Sequence, residues 1–181
     1  MRTRISGAID TTSRSKNWSC GLSPFFLGPV ELYDGYEAKN VENGWQFSKV
    51  YADHIEDGEP TSSYWTWAEW GWMQNRAYRY PMGKGTKPTY SLWDGEKLGY
   101  VEARKKIYCS LYARTVEHTD AFKKLKELYD AAGDITLFDF DSYDHHDLNM
   151  SYQEVLDCPD KKMGHGFVLG MLLDNERVWE V

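Results

Sequence analysis

The sequence is poor in cysteine and in positive charge, and it has no long apolar run. Cys20, Cys109 and Cys158 are its only cysteines, far apart and without a CxxC pair. That argues against a disulfide framework and a structural zinc site, and it points to reduced thiols in a reducing, cytoplasmic compartment. No stretch approaches the roughly 20 apolar residues of a membrane-spanning helix, so no membrane contact is expected. Arg2, Arg4, Arg14 and Lys16 lie near the start, without the apolar stretch of a secretory leader. Residues 1–20 read as a loosely ordered arm, and residues 21–181 as a single domain. Lys and Arg number 21 against 28 Asp and Glu, a formal net charge of −7. Non-specific DNA binding needs clustered cations to release counterions. Any contact with nucleic acid is therefore expected to be local and directed at a modification.

What the chain does have is aromatic surface, with 8 Trp and 13 Tyr. Such residues fill a core, and they also wall a pocket for a flat ligand. The punctuation by Gly and Pro predicts the elements between. Val30–Tyr33 reads as a short strand before the Asp34-Gly35 turn. Val41, Trp45, Ser48 and Ala52 recur at helical spacing, so a helix capped by Asn40 is expected to run through this segment. A second helix is expected from Ser62 or Ser63 to Tyr80, stopped by Pro81. Leu98–Thr115 reads as a helix with Tyr100, Ala103, Ile107 and Leu111 as its apolar stripe. Glu117–Ala132 is another, ended by Gly133. Ile135–Phe140 alternates like a strand. Ser151 and Glu154 have the spacing of a capping box, and Gly166–Leu173 reads as a buried helix. The expected fold class is mainly α (α+β), one compact helical domain with a few short strands.

The order of these motifs resembles the NADAR-type (YbiA-like) N-glycosidases. Five segments carry the resemblance, from Leu22 to Leu173: LSPFFLGPVELYDG, VENGWQFSKVY, SLWDGEKLGYVEARKKIY, LFDFDSYDHHD and GHGFVLGMLL. Glu42, Gln46 and Lys49 match the family's spacing. Trp93 matches its Trp, within Trp-Asp rather than Asp-Trp. Asp139 and Asp144 take the two acidic positions. The chain departs from the family at Asn43, where a His is usual, and at His145-His146, where Trp-Gly is usual. The resemblance implies hydrolysis of a ribose–base bond. The substrate would be ADP-ribose attached to a base, such as guanine in DNA or a nucleoside, or a ribosylamino-pyrimidine phosphate. Removal of ADP-ribose would suit conflict between bacteria and phages.

N-glycoside cleavage develops positive charge on the ribose C1′ and negative charge on the departing base. It needs a carboxylate near the sugar and an acid or cation near the base. Glu42 and Lys49 on one helix, about 10 Å apart in rise, would meet that need, with Asp144 bringing a second carboxylate. Glu42, Lys49 and Asp144 are the expected catalytic residues. Trp45 and Trp93 would form an aromatic wall. Arg76, Arg79, Lys84 and Lys87 around the YPMGKG loop, together with Asp139, would hold a nucleotide-like substrate. No cofactor is expected. Each residue also has a plainer reading: Glu42 as a first-turn acid favoured by the helix dipole, Lys49 as a solvated lysine, Asp144 as a turn residue and Trp93 as core. Two other functions remain open at this point. One is a non-catalytic nucleotide- or ADP-ribose-binding module. The other is a metal-dependent phosphohydrolase using Asp144, His145, His146, Asp147 and His165, although neighbouring His on a strand would face opposite ways.

Overall fold

The computed structural model describes residues 7–180. It is an α+β fold in which helices surround four small sheets. The helices are α1 (Val41–Gln46), α2 (Ser62–Trp72), α3 (Tyr100–Ala103), α4 (Ser110–Val116), α5 (Asp120–Ala132), α6 (Tyr152–Asp157) and α7 (His165–Leu173). A π-helical turn, Arg104–Cys109, joins α3 to α4. The apolar core packs α1, α2, α4 and α7 together, with Phe47, Trp72, Ile107, Leu111 and Leu169 fully enclosed. Nearly every residue of α7 is buried, as its unbroken apolar sequence predicts. Among the described residues no helix is long and apolar enough to cross a membrane.

Several local signals act as expected. Asn40 caps α1 by accepting the Asn43 N–H at 2.8 Å. Gly133 ends α5 in the left-handed region, at φ 74°. Ser151 and Glu154 form a reciprocal capping box on α6.

Other segments differ, and each difference has a tertiary cause. The expected arm is built into the fold from residue 9 onward; residues 1–6 lie outside the described residues. Strand β1 (Ile9–Asp10) pairs in parallel with β9 (Leu137–Phe138). Thr11, Thr12 and Ser19 are buried, and Leu22 C=O accepts the Tyr112 hydroxyl at 2.6 Å.

The helix expected through residue 52 stops at Gln46. Lys49–Val50 forms β4 instead, antiparallel to β7 (Tyr90–Trp93), which turns at Asp94-Gly95 into β8 (Glu96–Leu98). The ladder answers the backbone polar groups that a longer helix would have paired internally. Both turn residues have positive φ, 48° and 80°, the conformation that makes Asp-Gly a hairpin turn. Leu98 is thus a strand residue, not the start of a helix.

Helix α2 likewise ends at Trp72, not Tyr80. The buried Asn43 holds the chain beyond it. Its amide donates to Gln74 C=O and Arg76 C=O, and its oxygen accepts the Tyr78 N–H. The strand expected at Val30–Tyr33 is the two-residue β2 (Val30–Glu31), paired with β3 (Glu37–Ala38), and β5 (Ile55–Glu56) pairs with β6 (Glu59–Pro60) in a separate hairpin.

Gly71 of α2 rests on the Phe47 ring. A Cβ there would lie 2.0 Å from Phe47 Cδ1. An alanine in a helix interior normally gains about 1 kcal/mol over glycine. At this site overpacking reverses the sign, and Gly71→Ala should lower stability by about 1–3 kcal/mol. Urea denaturation would read the change.

Candidate functional site

A cleft of about 750 Å³ opens at the buried helix α1. Its floor is made by Glu42, Trp45 and Gln46 of α1, by Lys49 of β4, and by Arg104 and Tyr108 of the π-helical turn. Four further segments wall it: residues 12–14 of the former arm, the stretch over residues 79–91, and two pieces of chain around Asp139 and His165.

At the floor the polar groups are chained. Gln46 Nε2 donates to Glu42 Oε1 at 2.9 Å, and Lys49 Nζ donates to Gln46 Oε1 at 3.0 Å. The amide is oriented by its two neighbours, since a carboxylate can only accept and an ammonium can only donate. Lys49 Nζ also lies 4.8 Å from the centre of the Trp45 ring, within cation–π range. Glu42 is 5% exposed. Burial pushes its carboxyl up to about 7, against the opposing Gln46 hydrogen bond and the Lys49 and Arg79 charges. Burial also lowers Lys49 to about 8, against the opposing Glu42 charge. Both groups are therefore poised to exchange protons near neutral pH, the condition expected of an acid or base in catalysis.

Asp139 sits beside this floor but is engaged elsewhere. Its oxygens accept the Phe140 and Gly166 N–H groups at 2.7 and 3.0 Å. His165 Nδ1 stands 3.3 Å from the same carboxylate. On its other side, His165 Nε2 is 2.8 Å from Thr11 C=O, so Nε2 carries a proton. This chain of contacts sews β1 to α7. Gly164 permits it, because a Cβ there would lie 2.0 Å from Asp139 Oδ2.

The expected site residues divide accordingly. Glu42, Lys49, Trp45, Arg79, Lys87 and Asp139 come together in the cleft. Asp144, Trp93, Arg76 and Lys84 are not among its lining residues. Asp144 lies in the turn after β9, where its carboxylate accepts the His146 N–H. Trp93 packs edge-on against Tyr33, with ring centres 4.8 Å apart, in an aromatic cluster away from the cleft. The Arg76 guanidinium lies over the Tyr78 ring. Lys84 is not a lining residue, while the adjacent Gly83 and Gly85 line the cleft. Lys49 belongs to a strand and reaches Glu42 through Gln46, not along a shared helix face.

The cleft also gathers residues that the sequence reading did not select. Arg14 and Lys162 join Arg79 and Lys87 at the mouth. Asp141 lines it too and is paired with Arg79 at 2.9 Å. Exposed Tyr80 and Phe140 lie between these cations, with Arg79 within 6 Å of both ring centres. Tyr100, expected in the apolar stripe, is 46% exposed at the cleft instead. Tyr100, Arg104 and Tyr108 lie at intervals of four, on a strip beside that of Ala103, Ile107 and Leu111; that spacing was the available signal. Arg104 is buried and donates to the Val155, Leu156, Cys158 and Lys161 carbonyls, which fixes the chain entering α7. His145 and His146 stack on each other, 4.1 Å apart, outside the cleft. Among the described residues no three His, Cys, Asp or Glu side chains are grouped to hold a metal ion.

The sequence profile of a family of unknown function (DUF6939) matches residues 3–154, so the chain belongs to that family. No curated protein and no solved structure matches it.

The raised Glu42 carboxyl has a thermodynamic consequence. Between its unfolded value of 4.5 and its folded value of about 7, the folded protein holds a proton that the unfolded chain has released. Stability from this group is full below 4.5 and is lost as pH rises through 7, a change on the order of 3 kcal/mol. Glu42→Gln should flatten the decline of melting temperature between pH 4.5 and 7. An unchanged slope in the variant would show that the carboxyl is not perturbed in this way.

Proposed function

We propose that the protein is an N-glycoside hydrolase that cleaves a ribose–base bond in a nucleotide-like substrate. The observation that supports this reading best is the convergence of Glu42, Gln46, Lys49 and Trp45 at the floor of one cleft with a cationic, aromatic mouth. The sequence resemblance to the NADAR-type N-glycosidases points the same way, and ADP-ribose joined to guanine is the substrate it favours.

In this reading the ribose lies against Glu42 and the Trp45 ring. As the C1′–N bond breaks, the Glu42 carboxylate offsets the charge forming on the sugar. The same carboxylate accepts a proton from the water whose oxygen bonds to C1′. Lys49, held by Gln46, donates a hydrogen bond to the departing base or an adjacent phosphate. Asp139 and Asp141 are already engaged, by backbone N–H groups and by Arg79. Glu42, the buried carboxyl at the floor, therefore does the work first assigned to Glu42 and Asp144 together. Arg14, Arg79, Lys87 and Lys162 neutralise phosphates at the mouth, where Gly83 and Gly85 let the backbone come close. The reaction calls for no metal or redox cofactor.

A non-catalytic nucleotide-binding module is the second reading. It is favoured by Asn43, which stands where the family has a His and is spent on holding residues 74–78. Incubation with ADP-ribosylated guanosine separates the two, since catalytic release of ADP-ribose marks an enzyme and stoichiometric capture a binder. Glu42→Gln and Lys49→Met should each cut turnover by about a hundredfold or more without unfolding the protein. Asp144→Asn should stay close to wild type. Activity should persist in excess chelator. Wild-type rates in both floor variants would dismiss the assignment.

A further inference from the structure

Two buried tyrosines line the cleft, Tyr51 and Tyr108, and of these it is Tyr108 that packs on Trp45 beside Glu42. It lies on the π-helical turn and lines the cleft floor, and it is 7% exposed. Its ring meets Trp45 at 5.4 Å and stacks near Tyr112 at 6.4 Å. Tyr112 and Tyr64, fully enclosed, each donate their hydroxyl to a main-chain carbonyl, of Leu22 and Phe47 respectively. The Tyr108 hydroxyl has no hydrogen-bond partner among the described residues. It is not one of the fully enclosed polar atoms that lack a partner, so it opens on the cleft that the residue lines, where a ligand can take its hydrogen bond. The fully enclosed atoms without partners among the described residues are Tyr33 Oη, Trp72 Nε1, His54 Nδ1 and Tyr143 Oη, and none of those residues lines the cleft.

We infer that Tyr108 is a substrate-contacting residue whose hydroxyl donates a hydrogen bond to a sugar oxygen at the cleft floor. The chemistry of its surroundings supports a sugar over other ligands. Burial, reinforced by the nearby Asp139 and Glu42 charges, holds the phenol protonated. The floor thus offers a donor in Tyr108 beside an acceptor in Glu42. A sugar hydroxyl is both acceptor and donor and can engage the two at once. The Trp45 ring adds an apolar face for the C–H side of the sugar. A π-turn at this point accords with the frequent use of such turns at functional sites. The inference rests on the cleft being the substrate site proposed above.

Two single substitutions test it, with ADP-ribose as the probe. Tyr108→Phe removes a hydroxyl that satisfies nothing in the free protein. Its melting temperature should stay at the wild-type value or rise by about 2–4 °C, while its ADP-ribose dissociation constant should weaken about tenfold. Tyr112→Phe is the comparison, because it deletes a satisfied buried hydrogen bond and should melt lower. A Tyr108→Phe variant that melts as low as Tyr112→Phe, or that binds ADP-ribose as tightly as wild type, overturns the inference. So does a wild-type protein that fails to bind ADP-ribose at millimolar concentration. Wild type that binds ADP-ribose, loses affinity on Tyr108→Phe and yet releases nothing from ADP-ribosylated guanosine defeats the hydrolase reading alone.

Discussion

All six residues of α1 are buried, and three of them, Glu42, Asn43 and Gln46, are polar. A helix that carries such side chains into a core cannot leave them to water, so the surrounding chain must supply partners. Asn43 is answered by the backbone of residues 74–78, which ends α2 and turns the chain toward Arg79. Gln46 is answered by Glu42 on one side and Lys49 on the other, which draws β4 against the end of the helix. The cleft is the space left where one group, the Glu42 carboxyl, is only partly answered.

The elements around α1 serve that arrangement. The hairpin β7–β8 gives Lys49 a strand to belong to and so fixes the point from which its side chain reaches Gln46. Asp139, His165 and Thr11 bind the start of the described chain to α7 and close one wall. Arg104 gathers four carbonyls and closes another. These pins are satisfied inside the protein, and such groups set geometry. Glu42, Lys49 and Tyr108 retain unused capacity, through perturbed protonation or a free hydroxyl, and it is these three that face the cleft together.

The mouth has a different character. Net charge is −7 over the whole chain, yet Arg14, Arg79, Lys87 and Lys162 collect there around Tyr80 and Phe140. On the proposed function, such a local cationic and aromatic surface on an acidic protein suits a compact anionic ligand with a planar ring better than a long duplex, which would meet repulsion beyond the cleft.

By itself the sequence determined what depends on near neighbours. The caps at Asn40, Gly133 and Ser151, the buried α7 and the α+β class were legible, because each rests on residues within a few positions of one another. Of the residues singled out there, Glu42, Lys49, Trp45, Arg79, Lys87 and Asp139 line one cleft. The extent of α1 and α2, the integration of residues 9–20 and the membership of the cleft were decided only in the tertiary structure. Lys49 is a strand residue because a hairpin forty positions away supplies its ladder. Trp93 and Asp144 lie off the site because strand register and a turn carry them elsewhere. Arg14, Tyr108 and Lys162 become neighbours only after β1 pairs with β9 and the chain folds over α1; no local pattern encodes a contact made across that distance.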